Sequence, residues 1–302
     1  MTFCSDVQVE PLAGTAKQES VYVLFEWPTA WSRDVLDGRT FDPGLTAKLK
    51  AKLKGVAGLQ LIRRPGRAGH ERGTGHFRCF VVWAREGLVQ DYVLNGPEDI
   101  LDLDLEHPTG TCLPLVLVCT HAKRDACCAI KGRPLAASLA CEFEETVWET
   151  SHTKGHRFAP SVLLMPWGYS FGRLNVEAGR ELVGKALHGE YFYPANRGSG
   201  LTTPQGQVAE LAVARQLLDA SEPLHYGDLT VDAAENTATE NPAARNGVVV
   251  RHRDGRAWDV ELEEKEASGV VSSCGDEPKT SRFYAARRVR ILRAASQDAA
   301  RG

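Results

Sequence analysis

An order of local signals that occurs twice limits the folds open to this chain more than any other feature. Residues 20–27 (SVYVLFEW) read as a buried strand. The following FDPGLTAKLKAKLKG offers Asp42 as a helix N-cap, Pro43 for the first turn and Gly55 as a stop. Strand-like LQLIRR, CFVVW and LVQDYVL come next, the last two joined by AREG as in a hairpin. From residue 113 the order begins again: strand LPLVLVC, short helix GRPLAASLACEF, strand EETVWET, the strand pair SVLLMP and SFGRLNV, and a closing helix EAGRELVGKALHG. The loops after the two first strands, EWPTAWSRD at 26–34 and CTHAKRD at 119–125, both end in Arg-Asp.

This pattern predicts an α/β fold built by internal duplication of a small unit, the second copy holding Cys and His residues that the first lacks. Coincidence in a common element order is the plain alternative. Small α/β units leave a sheet face or edge bare and can cover it against a twin, which predicts a pseudo-symmetric pair. The division expected is 1–108 for a first, cofactor-free unit and 109–218 for the second. In the second, a Gly/Pro-rich loop (PANRGSGLTTPQGQ) precedes the amphipathic helix VAELAVARQLLDAS, with Thr203 and Pro204 placed at its start. Residues 219–246 are acidic and rich in small residues and read as a linker or long loop. Residues 247–302 form a small β-rich segment, with a hairpin turning at RDGR and a further strand in RFYAARRVRILRA.

Composition sets the outer limits. With 302 residues, 43% of them hydrophobic and 25% charged, the chain can bury one large core or several smaller ones. A formal net charge of -3 gives no global attraction to nucleic acid. No stretch approaches the ~20 apolar residues of a membrane span, and the N-terminus lacks a secretory pattern, so a cytoplasmic location is expected. Eight cysteines are too sparse for a disulfide scaffold in a chain this long. Cys79 and Cys141 read as packed small hydrophobes.

The chemistry concentrates in two segments, VCTHAKRDACC at 118–128 and WETSHTKGHRF at 148–158. Cys119 and Cys128 are nine residues apart, beyond a buried strand, and His152 and His156 follow another strand. Gly155 can let that loop bend so that both rings converge, and Lys123, Arg124 or Arg157 can offset negative charge. Two Cys and two His suit tetrahedral zinc or a 2Fe-2S cluster with unlike ligand pairs. The His spacing fits a zinc finger and the Cys spacing is longer. Spacing alone leaves zinc, iron-sulfur and no metal open, the last as core thiols beside surface histidines.

The sequence resembles the sucrase/ferredoxin-like family of thioredoxin-fold ferredoxins over roughly residues 20–215. Its Cys-x-His-x-x-Arg-Asp-x-x-Cys pattern is met by Cys119, His121, Arg124, Asp125 and Cys128. His-x-x-Gly-His is met by His152, Gly155 and His156, and a Tyr/Phe-Gly-Arg segment by Phe171, Gly172 and Arg173. EWPTAW and LIRRPGR in the first copy add to the match. The resemblance implies two tandem thioredoxin-like units and a 2Fe-2S cluster held by Cys119, Cys128, His152 and His156. It places His121, Arg124, Asp125 and Cys127 beside the ligands, His121 and Asp125 fixing the loop. One departure stands out: where the family cysteine is followed by glycine, Cys128 is followed by Ala129 and preceded by the extra Cys127; the count from Cys119 and the Arg-Asp pair favours Cys128, with Cys127 open as a substitute or a spare thiol.

Such a site implies electron transfer at a potential above that of all-cysteine ferredoxins, coupled to protons through the ligating histidines. The implied partner is a redox protein, such as a flavin reductase acting as electron donor, and the expected state is a monomer with an internal pseudo-dimer. No glycine-rich phosphate motif and no converging carboxylate pair for glycoside hydrolysis is visible. A zinc-stabilised interaction module on the same four ligands and a thiol-disulfide redox protein are the other readings. The second is weakened by the absence of Cys-x-x-Cys at the first strand-helix junction. Trp167 and Tyr169 can shield the site or simply pack.

Overall fold

Asp42 and Pro43 act as their chemistry suggests. In the computed structural model, which describes residues 3–70, 75–232 and 247–293, the Asp42 carboxylate accepts from the backbone N–H groups of Gly44 and Leu45. Helix α1 (Pro43–Leu53) starts there and lies between the parallel strands β1 (Val21–Glu26) and β2 (Gly58–Arg63). Strands β3 (Phe77–Trp83) and β4 (Leu88–Leu94) form the expected hairpin, with β3 antiparallel to β1.

The second half pairs in the same way. Strands β5 (Leu115–Cys119) and β6 (Val147–Thr150) are parallel and flank α2 (Ala126–Ala140). Strand β7 (Ser161–Met165) is antiparallel to β5, and β8 (Tyr169–Gly172) to β7. Helix α3 (Val176–Leu187) follows, then β9 (Asn196–Ser199) and α4 (Pro204–Asp219), capped by Thr203. The result is one mixed nine-stranded sheet in the order β4-β3-β1-β2-β6-β5-β7-β8-β9.

The halves join edge to edge where β2 runs antiparallel to β6, pairing Ile62 with Thr150 and Arg63 with Glu149. They also meet face to face. Tyr22, Leu24, Phe80 and Val82 from the first half share a core with Leu115, Leu117, Trp148 and Leu163 from the second. The outer face of the first half packs on α1, and that of the second on α2, α3 and α4. The layers are therefore helix, sheet, sheet, helix, with each half covering the face the other would leave bare.

A second, antiparallel sheet has the order β10-β11-β12-β13, formed by β10 (Leu229–Val231), β11 (Gly247–His252), β12 (Ala257–Val270) and β13 (Lys279–Arg293). The 247–302 segment is β-rich as expected over its described residues, and its Val250, Trp258, Val260 and Leu262 share a core with Val213 and Leu217 of α4. No helix among the described residues is long and apolar enough to cross a membrane.

Local readings differ from the structure at four places. Helix α2 begins six residues before GRPLAASLACEF, because the Asp125 side chain accepts from Cys127 N–H and caps it there, and Pro134 lies inside the helix. The expected loop at PANRGSG contains β9, held by antiparallel pairing to β8. Strand β10 falls within the expected linker, and residues 233–246 of that linker lie outside the described residues. Cys141 is exposed, being the residue that closes α2.

Candidate metal centre

Parallel pairing of β5 with β6 sets the site. Cys119 ends β5 in register with Thr150 at the end of β6, so the segments that leave the two strands emerge side by side. The first carries Cys119, His121 and the start of α2, and the second carries His152 two residues beyond Thr150. Close approach of α2 needs Gly132, since a Cβ there would collide with the Cys119 carbonyl oxygen. The His152–His156 bend needs Gly155, where a Cβ would come within 2.6 Å of Ser161 Oγ and strike the Arg197 guanidinium.

Cys119 Sγ, Cys128 Sγ and a His152 ring nitrogen all lie within 4.8 Å of one another. His156 joins at the edge, its Nδ1 3.3 Å from His152 Nε2. Ser273 Oγ lies 2.8 Å from His156 Nε2, so Nδ1 is the nitrogen turned toward His152. Among the described residues His152 Nδ1 is buried with no hydrogen-bond partner, a cost that a metal ion bound there would relieve. The donor set and this orphaned nitrogen fit a bound metal centre.

The two buried thiols share charge. A hydrogen bond from Cys128 holds the Cys119 thiol well below the usual range, against the effect of burial and with help from His152 and the His121 N–H. The same bond pushes Cys128 up. Proton loss is thus directed to Cys119 rather than Cys128, the direction a soft-metal site needs. Arg197 places a fully buried guanidinium near the loop, donating toward the Lys154 carbonyl and Ser161 Oγ. Burial lowers its pKa to about 9. Local patterning gave no sign of Arg197, which sits on β9 within the segment read as a loop.

The remaining predicted residues take distinct places. His121 Nε2 lies 2.8 Å from the Ser32 carbonyl oxygen and its ring meets Trp31 edge-on, so it ties the loop to the first half. Burial lowers the His121 pKa. Asp125 caps α2. Burial would raise its carboxyl, yet hydrogen bonds from Cys127 and Cys274 bring it down to about 2. Arg124 lines a cavity of about 150 Å³ with Arg33, Lys154, His121 and His152, a basic mouth on the histidine side. Arg157 instead pairs with Glu10, at 2.5 Å.

Cys127 turns to different neighbours from Cys128. Its thiol lies 3.5 Å from Cys4 Sγ and 2.9 Å from Asp125 Oδ1. Cys4 and Cys274, neither assigned a role from the sequence, complete that cluster. Trp167 and Tyr169 do not shield the Cys/His site. They line a separate cavity of about 430 Å³ with Tyr226 and Glu210.

Residues 12–198 match the family described as sucrase/ferredoxin-like. The chain belongs to the sucrase/ferredoxin-like family. The span shared with this family contains Cys119, Cys127, Cys128, His152 and His156, while Cys4, Cys274 and the whole second sheet lie outside it. No curated protein and no solved structure matches the chain.

Proposed function

We propose that this sucrase/ferredoxin-like protein is an electron-transfer protein whose Cys119, Cys128, His152 and His156 hold a 2Fe-2S cluster. The reading rests on the convergence of two buried thiols and one imidazole, with a second imidazole nitrogen 3.3 Å from the first ring. The family match supports it. So does the repeated strand pairing on either side of the β2–β6 junction, which we take as two thioredoxin-like units derived by duplication. Bound there, such a cluster supplies one-electron transfer at a potential toward about -150 to +300 mV, above the roughly -400 mV of all-cysteine plant-type ferredoxins.

The chain's own groups shape that site. The His121 backbone N–H stabilises negative charge on Cys119, and Arg197 adds a buried positive charge nearby. Ser273 fixes the His156 ring through Nε2. Each ligating ring keeps one nitrogen off the metal, and loss of a proton there couples electron transfer to pH. Arg33, Arg124 and Lys154 around the mouth suit docking of a redox partner with an acidic face, and a flavin reductase as donor is consistent with this.

The compactness of the Cys119, Cys128 and His152 donors also favours a second reading, one zinc ion on these residues in a structural module. Iron, zinc and acid-labile sulfide analysis after anaerobic purification separates the two. The cluster reading expects iron and sulfide in equal amounts, an S = 1/2 EPR signal on reduction, and a midpoint potential falling by about 59 mV per pH unit once a histidine titrates. Zinc bound to Cys119 and Cys128 without sulfide would sink it.

A further inference from the structure

We propose that Cys4, Cys127, Cys274 and Asp125 form a second metal site, separate from the first, that takes one tetrahedral zinc ion. Cys4 Sγ lies 3.5 Å from Cys127 Sγ and 3.6 Å from Cys274 Sγ. Asp125 Oδ1 is 2.9 Å from Cys127 Sγ, and Oδ2 is 3.8 Å from Cys4 Sγ. All four side chains offer donor atoms within 4.8 Å of one another. A tetrahedral zinc with bonds near 2.3 Å to sulfur and 2.0 Å to oxygen sets S···S at about 3.8 Å and S···O at about 3.5 Å. The two S···S separations lie about 0.2–0.3 Å short of that geometry and Asp125 Oδ1···Cys127 Sγ about 0.6 Å short, so binding would ask for a small opening of the cluster.

Two simpler accounts fit less well. Buried cysteines often pack as small hydrophobes, and Phe3, Ala159 and Val271 do border this cluster. Packing does not explain why the carboxylate of Asp125, only 6% exposed, faces the thiols. Among the described residues the nearest basic side chain to it is the His156 ring, at 4.0 Å, and burial lowers the pKa of that ring. Hydrogen bonds from Cys127 and Cys274 keep this buried carboxylate ionised, and zinc at the centre would add the close cation it lacks. A disulfide would have to single out one pair, yet Cys4 is nearly equidistant from two thiols.

The carboxylate is already oriented for ligation. Oδ1 accepts from the Cys127 N–H at 3.2 Å and Oδ2 from the Cys274 N–H at 3.0 Å, so outer bonds hold it while it faces Cys127 and Cys4. Three sulfurs and one oxygen suit zinc and exclude a hard cation such as magnesium or calcium. Binding forms three Zn–S bonds and one Zn–O bond and releases the three thiol protons to solvent, with no change of oxidation state. Cys127 also gives up its 3.1 Å contact to the His156 carbonyl oxygen.

The ion would join three distant parts of the chain: the N-terminal turn Cys4–Asp6, the start of α2, and the loop between β12 and β13. Cys4 and Cys274 lie outside the span matched by the family, so the site belongs to what this chain adds to the family body. It would act as a clasp, holding the loop that places Ser273 against His156.

The test measures zinc in the full-length protein expressed with both metals supplied. About one zinc per chain is expected in the wild type and in Cys119→Ser/Cys128→Ser, which removes the first site's thiols. At least a tenfold loss of zinc is expected in Cys4→Ser/Cys274→Ser with its circular dichroism retained. Should that variant misfold, cobalt added to Cys119→Ser/Cys128→Ser must give thiolate-to-cobalt charge-transfer and tetrahedral ligand-field bands. A wild type without zinc, full zinc in Cys4→Ser/Cys274→Ser, or cobalt without those bands overturns the proposal. Iron and sulfide report on the other centre separately, so their absence beside a zinc that depends on Cys4 would count against the cluster alone.

Discussion

Cys127 and Cys128 are consecutive in the first turn of α2, and a helix turns about 100° per residue, so their thiols meet different neighbours. Cys128→Ser should abolish iron binding, whereas Cys127→Ser should retain the iron and lose the zinc; metal analysis of the two variants reads both. Spacing from Cys119 favoured Cys128 but could not exclude its neighbour, because a residue count does not say where a helix begins. Cys4 and Cys274 left no trace in any local pattern, being 270 positions apart, and only the folded chain brings them together. Glu210 shows a different environment. Burial raises its carboxyl to about 7, although hydrogen bonds from Tyr169 and Tyr191 oppose the rise. A carboxyl raised in the folded state contributes stability that is present below the unfolded value of 4.5 and is lost as pH climbs through 7. Between pH 4.5 and 8 the wild type should therefore lose about 3 kcal/mol relative to Glu210→Gln, measured by denaturant titration at each pH. Parallel curves for the two proteins would show that Glu210 ionises normally.

The β2–β6 seam depends on a buried pair. Arg63 Nε donates to Glu149 Oε2 at 2.9 Å, and Thr120 Oγ1 donates to the same oxygen at 2.9 Å. Both side chains are about 95% buried. Removing one partner leaves the other charged and unpaired, so Glu149→Ala should cost about 3–5 kcal/mol, while replacing both by apolar residues should recover much of that. A similar logic applies to α2 against β5. Gly132→Ala should push the helix off the Cys119 carbonyl and cost about 1–3 kcal/mol, with lowered metal content as the accompanying sign. Elements with strong local chemistry were legible in the sequence: Asp42 and Pro43 at α1, Thr203 and Pro204 at α4, and the β3–β4 hairpin all lie where their residues put them. Strand β9 was not, because NRGS has little strand propensity and exists through its ladder with β8. The start of α2 was hidden for the opposite reason: Pro134 imitates a beginning that Asp125 makes earlier.

The repeated order in the sequence has a counterpart in the strand pairing of β1–β4 and β5–β8, but nothing in it foretold that the second sheet would share a core with α4. That contact depends on Trp258, Val260 and Leu262 meeting α4, and alternation along a strand does not name the surface its apolar face will find. The consequence concerns the metal centre as well as stability. The β12–β13 loop delivers Ser273 to His156 and Cys274 to Asp125, so the C-terminal sheet acts as part of the site's wall. A chain ending at Asp232 lacks β11, β12 and β13 and so strips Val250, Trp258, Val260 and Leu262 from Val213 and Leu217 of α4. Exposing such a face should lower the thermal midpoint by more than 5 °C and produce binding of a hydrophobic dye that the full chain does not show. It should also leave His156 less restrained, shifting any midpoint potential that depends on its imidazole. An unchanged melting curve without dye binding would mean that the α4 contact adds nothing to the stability of the body.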